Sequence, residues 1–318
     1  MINAYRNVDG HLRLAADAAL TDAAWLDLAG PSQDEERRVE AALGIDVPTR
    51  EEMEEIEISS RLYYDGATAY MTATLPAYTD SDEPELAPVT FVLAGERLLT
   101  VRYHEPRAFK TLPLRAAKAP VAGADGAAIL VILLELQIDR LADVIERAGR
   151  DINALSRQVF QQRGTRRTDF QAMLAAIGRK GDLTSNLLEC LVSLDRMFGF
   201  LSHAIQQRSD DRDLRVRVKT LSRDCHSLIE HAGTLTHKVT FLLDATLGLI
   251  NIEQNAIIKI FSVAAAAFLP PTLIASIYGM NFDVMPELRW PFGYPLALVL
   301  MVTSAVLPLW YFRRKGWF

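Results

Sequence analysis

Residues 260–282 read IFSVAAAAFLPPTLIASIYGMNF and residues 290–312 read WPFGYPLALVLMVTSAVLPLWYF, two runs of 23 residues without one Asp, Glu, Lys or Arg. At 1.5 Å per residue each run makes a helix of roughly 35 Å, enough to cross a hydrocarbon core of about 30 Å. The 34 basic and 40 acidic side chains of the 318-residue chain all lie outside these runs, and the rest of the sequence has an ordinary soluble composition. The fold expected is a large soluble front end with two membrane helices behind it.

Upstream of the first run, residues 1–259 hold 38 acids and 30 bases, a net charge of −8. A nucleic-acid binder carries a basic patch or a high pI, so nucleic acid is excluded as a partner. Cys190 and Cys225 are too few and too isolated for a disulfide framework. The opening MINAYRNVDG lacks the basic n-region and apolar run of an export signal, so the soluble part is expected in a reducing cytosol.

Residues 1–125 mix strand and helix signals. Residues 90–93 and 97–103 flank Ala94-Gly95, and Leu62-Tyr63 and residues 70–75 flank Asp65-Gly66; both patterns predict hairpins. Pro48 followed by Thr49-x-x-Glu52 predicts a capping box opening a short helix. An α/β or α+β domain follows. Pro113, Pro120, Gly123 and Gly126 mark a turn-rich junction, after which proline is absent from 121 to 269 and helical periodicity takes over.

Within the helical region Leu214, Leu221, Leu228, Leu235, Leu242 and Leu249 recur every seven residues, with Val218, Cys225, Ala232 and Val239 four residues after successive leucines. This is a coiled-coil-like seam. No proline or charge cluster separates it from the first apolar run, so one helix is expected from about Asp213 to Met280. Residues 129–162 and 168–207 supply two more helices to cover its flank. The division expected is a cytosolic α/β domain at 1–125, packing helices at 126–210, a stalk helix at 211–258, a first span at 259–282, an outer loop at 283–289, a second span at 290–312 and a basic tail at 313–318.

Charge orients the spans. Lys259 precedes the first, and Arg313, Arg314 and Lys315 follow the second, whereas the loop between them has two acids and one base. Both flanks are expected inside and the loop outside.

The first span ends in Tyr278-Gly279-Met280-Asn281, and the loop continues Phe282-Asp283-Val284-Met285-Pro286-Glu287-Leu288 before Trp290, Phe292-Gly293-Tyr294-Pro295 and a terminal RRKGWF. A Gly-Met-Asn triplet alone occurs by chance. With two C-terminal spans, the MPEL loop, the basic tail and the long soluble front end, the chain resembles the CorA family of divalent-cation channels, whose signature is YGMN followed by an MPEL loop. Residues 48–55 and 250–255 also look like the bacterial members. The resemblance implies a funnel-shaped homopentamer in a bacterial inner membrane. In it the first span of each copy lines a central pore, the second faces lipid, and the cytosolic domains close when intracellular Mg2+ binds between subunits. Two spans alone cannot enclose an ion path, so oligomerisation has a physical ground as well; the number five comes from the family.

The function so implied is channel-type passage of Mg2+, with Co2+ and Ni2+ as further ions because their hexahydrates are of similar size. Membrane potential supplies about 2.3 kcal/mol per charge per 100 mV, and twice that for a divalent ion. No cofactor is expected; Mg2+ is substrate and regulatory ligand. Mg2+ sheds its waters reluctantly, so a pore that carries it quickly should meet the hydrated ion through neutral oxygens. A ring of Asn281 amides, at the end of Gly279-Met280-Asn281, does this. Asp283 and Glu287 can concentrate cations at the outer mouth.

Inward at helical spacing, Ser276, Thr272, Leu269, Ala265, Ser262 or Phe261, Ile258, Asn255, Asn251 and Asp244 fall near one stripe. Leu269, Phe261 and Ile258 suit apolar constrictions that gate by dewetting, the role of the matching positions in the family's pore, and Thr272 and Asn255 match further polar rings. Pro270 and Pro271 leave the carbonyls of Ala266 and Ala267 short of donors, so a kink or a hydrated backbone is expected.

Each assignment has a plainer reading. Asn281 suits a helix C-cap, Thr272 and Ser276 suit bonds back to their own helix, the apolar residues suit interhelix packing, and Asp283 and Glu287 suit a solvated loop. Between Asp34 and Glu57 ten acids face three bases, which suits a sensing surface or a solvated face. Those acids, Asp213, Asp224 and Glu230 are candidates for a regulatory metal site whose residues remain unassigned. His226, His231 and His237 beside Cys225 lack the i, i+4 spacing of a zinc pair. No Gly-rich phosphate loop or nucleophile grouping points to an enzyme. Two rivals stand beside the Mg2+ reading. One is a Zn2+ transporter of the ZntB type, whose members depart further from YGMN and MPEL; the other is a non-conducting membrane-anchored sensor, which needs no polar stripe and would carry an output domain.

Overall fold

The computed structural model describes residues 1–15, 20–80, 84–117, 125–161, 169–208, 211–281 and 285–317. They form two units, Met1–Leu243 and Asp244–Phe318.

The first unit opens with a hairpin that the sequence reading passes over, β1 (Ile2–Val8) and β2 (His11–Leu14). Asp9 and Gly10 between them both have positive φ, 52° and 82°, as a type I′ turn requires. β3 (Trp25–Ala29) pairs antiparallel with β1. Then come α1 (Gln33–Leu43), α2 (Arg50–Glu54) and α3 (Ile58–Arg61). The expected box caps α2: the Glu52 amide donates to Thr49 Oγ1 at 3.3 Å and the Thr49 amide to Glu52 Oε2 at 2.9 Å.

The two expected hairpins follow as β4 (Leu62–Asp65) with β5 (Thr68–Ala77), and β6 (Glu85–Ala94) with β7 (Arg97–Arg102). Each turn lies one residue further along than the sequence suggested. Gly66 and Gly95, at φ 54° and 58°, take its first position, where a left-handed φ favours glycine. The hairpins join into one seven-stranded sheet of order β2-β1-β3-β7-β6-β5-β4, antiparallel except at β3–β7. One face buries Leu26, Leu28, Tyr70, Val92 and Leu99 with Val39 of α1 and Met53 of α2.

α4 (Arg107–Ala116) contains Pro113, which therefore lies inside a helix and not in the junction; residues 118–124, the rest of that junction, lie outside the described residues. α5 (Gly126–Gln161) packs against β6 and β7, and α6 (Phe170–Arg208) against β5. β4 pairs with only the first four residues of β5. Beyond them the Thr74 amide donates to Ser193 Oγ of α6 at 3.0 Å, so a helix covers the strand edge. Arg107 of α4 and Arg140 and Arg147 of α5 converge on Asp80, and the hydrogen bond from Arg140 leads in holding its carboxyl below the usual range.

α7 (Arg212–Tyr278) is one helix of 67 residues. Its heptad seam is buried at Leu214, Val218, Leu221, Cys225, Ala232, Leu235, Val239 and Leu242. Glycines make room for it. A Cβ at Gly149 of α5 would lie 3.6 Å from Leu235, and one at Gly181 of α6 would lie 3.4 Å from Val239. Arg217 grips Glu135 of α5 with two bonds of 2.9 and 2.8 Å, and Cys225 donates to the Leu191 carbonyl of α6 at 3.3 Å.

The second unit holds the remainder of α7, a 3₁₀ turn at Pro286–Arg289 and α8 (Gly293–Arg314). α7 and α8 both contain stretches long and apolar enough to cross a membrane. α7 stays helical through Pro270 and Pro271 but stops at Tyr278, short of the expected Met280. α8 begins at Gly293, not 290, because residues 290–292 form a turn in which the Gly293 amide donates to the Trp290 carbonyl at 2.9 Å. It runs on through Arg313 and Arg314, cations that favour the negative end of a helix.

Candidate functional site

In the second unit each long helix has one covered face. On α7 it comprises Val263, Ala266, Ala267, Pro270, Pro271, Ile274 and Tyr278; on α8 it comprises Gly293, Ala297, Met301, Ser304, Ala305, Pro308 and Phe312. Ala267 and Ala297 are the most enclosed, at 8% and 4% exposure. Small residues at these positions suit packing between helices embedded in lipid. Lys259 Nζ lies 6.0 Å from the Trp317 ring centroid, so the Lys259 end of the apolar stretch of α7 lies beside the residues that follow α8. The Gly293-x-x-x-Ala297 spacing was available in the sequence as a packing signal, and the sequence reading did not use it.

The opposite side of α7 is bare. Asp244, Asn251, Asn255, Ile258, Phe261, Ser262, Ala265, Leu269, Thr272 and Ser276 are all exposed, with Ile258, Phe261 and Leu269 at 60%, 71% and 66%. At about 100° per residue this stripe is centred about 140° from the face that meets α8. The fold therefore turns the predicted stripe away from its own second helix.

Thr272 does bond back to its own helix: its hydroxyl donates to the Phe268 carbonyl at 2.7 Å. That uses the proton and leaves the oxygen lone pairs facing outward as acceptors. At the end of α7 the Gly279 amide donates to Ala275 O at 3.0 Å and Ser276 O at 3.2 Å, and the Met280 amide to Ile277 O at 3.3 Å. A Cβ on Gly279 would lie 3.2 Å from Ala275 O, so glycine lets the chain close the helix this tightly. Asn281 follows, exposed and without a positive φ, so it is not the left-handed cap of the plainer reading. Met280 is 48% exposed. Asp283 lies outside the described residues, as does the side chain of Glu287, whose backbone belongs to the 3₁₀ turn.

The sequence matches the family model described as CorA-like Mg2+ transporter protein over residues 21–314. The chain belongs to the CorA family. Mg2+ transport across a membrane is thereby its function, and the family is one of ion transporters and not of enzymes. The chain is 38% identical to the magnesium transport protein CorA of Pasteurella multocida, with 100% of both chains covered. Its fold matches the complete structure of the CorA magnesium transporter from Methanocaldococcus jannaschii at a TM-score of 0.79 and 21% identity, covering 100% of this chain and 99% of that one. The cytoplasmic domain of ZntB from Vibrio parahaemolyticus matches at a TM-score of 0.58 and 10% identity, covering 78% of this chain and 97% of that one, a likeness of fold alone.

Among the described residues no group of three His, Cys, Asp or Glu side chains is placed to hold a metal ion, so Asp213, Asp224, Glu230 and the 34–57 acids form no such cluster within one chain. The histidines near Cys225 do not make a zinc site either. His226 Nδ1 lies 3.0 Å from Asp195 Oδ1, and burial pushes the Cys225 thiol up to about 12.

Proposed function

We propose that several copies of the chain close a ring in which the bare face of α7 lines a pore for hydrated Mg2+, with Co2+ and Ni2+ as further ions. The observation that carries this reading is the polar stripe on the side of α7 that α8 leaves open. In a lone subunit Thr272 and Ser276 would face hydrocarbon, where polar groups are costly; around a ring they line water.

Asn281 at the end of α7 presents neutral amides to the hydrated ion, with Gly279 and Met280 setting its position. Thr272 and Ser276 continue the polar lining, and the outward lone pairs of Thr272 suit the water protons of a hydrated cation. Leu269, Phe261 and Ile258 form apolar constrictions, Asn255 and Asp244 serve the inner end, and Asp283 and Glu287 concentrate cations at the outer mouth. The ring is a homopentamer by family likeness, set in a bacterial inner membrane with both flanks of the spans cytoplasmic. Membrane potential drives entry, and intracellular Mg2+ acting on the cytosolic domains closes the pore.

The test is ion uptake into proteoliposomes holding a Mg2+-sensitive dye, with Co2+ and Zn2+ in parallel and internal Mg2+ varied. Fast, voltage-dependent Mg2+ entry that internal Mg2+ suppresses supports the channel, and Asn281→Ala should abolish it with the oligomer intact. Normal uptake by that variant would remove Asn281 from the selectivity ring. Zn2+ flux without Mg2+ flux would move the chain to the zinc branch, and no flux at all would favour a sensor.

A further inference from the structure

Past α8 the chain folds back on itself. The Trp317 amide donates to Phe312 O and the Gly316 amide to Arg313 O, both at 3.1 Å, with Gly316 left-handed at φ 69°. These are the two bonds of a Schellman motif, which glycine permits because it carries no Cβ. The turn lays the Trp317 ring on Phe312, their centroids 4.8 Å apart, and beside Lys259 of α7. Phe312 meets Tyr311 at 5.6 Å, and Lys315 Nζ stands 5.2 Å from the Tyr311 centroid. One run of rings therefore connects two ammonium groups, one from α7 and one from the end of α8.

These donors are unspent. Among the described residues no carboxylate pairs with Lys259 or Lys315, and the Trp317 indole N–H has no hydrogen-bond partner. A cation over a ring face keeps ammonium hydrogens free to donate. The helix dipole accounts for a cation at the end of α8 but not for Lys259, which lies inside α7. Lys259 also stands about 100° around α7 from Ile258, off the bare stripe. On α8 the same spacing puts Lys315 on the side that α7 covers and Arg313 about 140° away from it.

Depth decides what can reach this corner. α8 has 22 residues, and without Arg313 and Arg314 its charge-free part is 20, roughly 30 Å of helix and about the thickness of a hydrocarbon core. The cations that follow it stand at the level of lipid phosphates. Leu300, Leu307, Tyr311 and Lys315 follow one another along α8 at spacings of seven, four and four. The first three are 44%, 63% and 50% exposed, an apolar row leading from the membrane interior to the charge.

We infer that this corner binds one anionic diacyl phospholipid, its phosphodiester accepting from Lys259, Lys315 and the Trp317 indole and an acyl chain lying along Leu307 and Leu300. Basic pockets between membrane helices suit anionic headgroups in this way. A free phosphate would suit the donors as well, but it has no use for the apolar row and no reason to sit at the edge of the hydrocarbon. The lipid is therefore the occupant.

The experiment counts the phospholipid kept by the full-length protein, by native mass spectrometry, after extraction from vesicles of equal parts phosphatidylglycerol and phosphatidylcholine. The count is per chain, so it does not depend on how many copies assemble. One phosphatidylglycerol per chain is expected, in several-fold excess over phosphatidylcholine. Lys259→Gln with Lys315→Gln should cut that retention several-fold, and Trp317→Ala, which alters no charge, should lower it too. Arg313→Gln removes a charge from the far side of α8 and should leave retention near wild type. Counts are taken on variants whose assembly mass matches wild type, so a lost lipid is not confused with a lost fold. An equal loss with Arg313→Gln would mean a diffuse attraction of headgroups to the basic tail and would overturn the site, as would equal retention of the two lipids. Phosphatidylglycerol that inorganic phosphate displaces would put a small anion at the corner, and would also overturn it.

Discussion

Arg102 clasps Asp27 with two hydrogen bonds, Nε to Oδ1 at 3.0 Å and Nη2 to Oδ2 at 2.9 Å, across the parallel pairing of β3 and β7. Their side chains are only 9% and 3% exposed. The spare donors are used. Thr100 donates to Asp27 Oδ1 at 3.0 Å, Arg102 Nη1 to the His104 carbonyl at 2.8 Å, and the Trp25 indole to Thr100 at 3.0 Å. The pair therefore joins strands that lie far apart in sequence. Asp27→Asn leaves the buried guanidinium without a counter-charge, and removing one partner of such a pair costs about 3–5 kcal/mol. Thermal unfolding of the full-length protein should show this loss, with a smaller one when Asp27→Leu is combined with Arg102→Met.

Gly126 starts α5 against the β6–β7 turn, its amide donating to the Glu96 carbonyl at 2.6 Å. A Cβ there would collide with the backbone at Arg97 and Leu98. Gly126→Ala should destabilise the chain by at least about 1–3 kcal/mol, the cost of overpacking, because backbone cannot swing aside as a side chain does. A denaturation midpoint equal to wild type would show that α5 docks elsewhere.

Leu269 and Phe261 belong to the bare stripe of α7. If they constrict the pore by dewetting, Leu269→Asn should wet it and raise Mg2+ flux several-fold under high internal Mg2+. Flux that stays suppressed would assign Leu269 to packing between helices.

The Thr272 hydroxyl spends its proton on Phe268 O and offers its lone pairs outward. Thr272→Ser should keep Mg2+ uptake near wild type, and Thr272→Val, close in shape but without an acceptor, should lower it. Equal uptake by the two variants would take the hydroxyl out of the ion path.

His104 is buried with Nε2 2.8 Å from the Leu75 carbonyl, to which its neutral ring donates. Burial holds its pKa below the ordinary 6.5. Between 6.5 and that lower value the unfolded chain binds more protons than the folded one, so stability falls as pH falls through this window. His104→Gln keeps a donor for Leu75 and does not titrate. Its melting temperature should fall less steeply than that of wild type as the pH is lowered below 6.5.

The pattern legible in advance was local. Thr49 and Glu52 name a helix start within four residues, and the heptad leucines name a seam by period alone, buried at Leu214, Leu221, Leu235 and Leu242 and half-buried at Leu228 and Leu249, because each signal is complete within a few turns. Pro113 misled for the same reason. Proline near a glycine-rich stretch reads as a junction, yet it sits inside α4. The Asp9-Gly10 turn was legible and passed over, whereas the joining of β3 to β7 left no trace in either strand. For the candidate site, the order of residues from Asn255 to Asn281 could be read directly. Which side of α7 stays open could not, since that depends on where α8 lies.

By itself the sequence determined the two apolar spans, the continuous helix feeding the first of them, and the Gly279-Met280-Asn281 and MPEL residues on which the resemblance to CorA was read. These are properties of spacing and charge along one stretch of chain. Only the tertiary structure decided that the sheet is held by a buried Asp27–Arg102 pair. It also decided that Gly149 and Gly181 admit the α7 seam, and that α8 covers Ala267 and leaves Thr272 bare. Those outcomes depend on contacts between residues tens of positions apart, where packing and desolvation select one partner among many that local sequence permits.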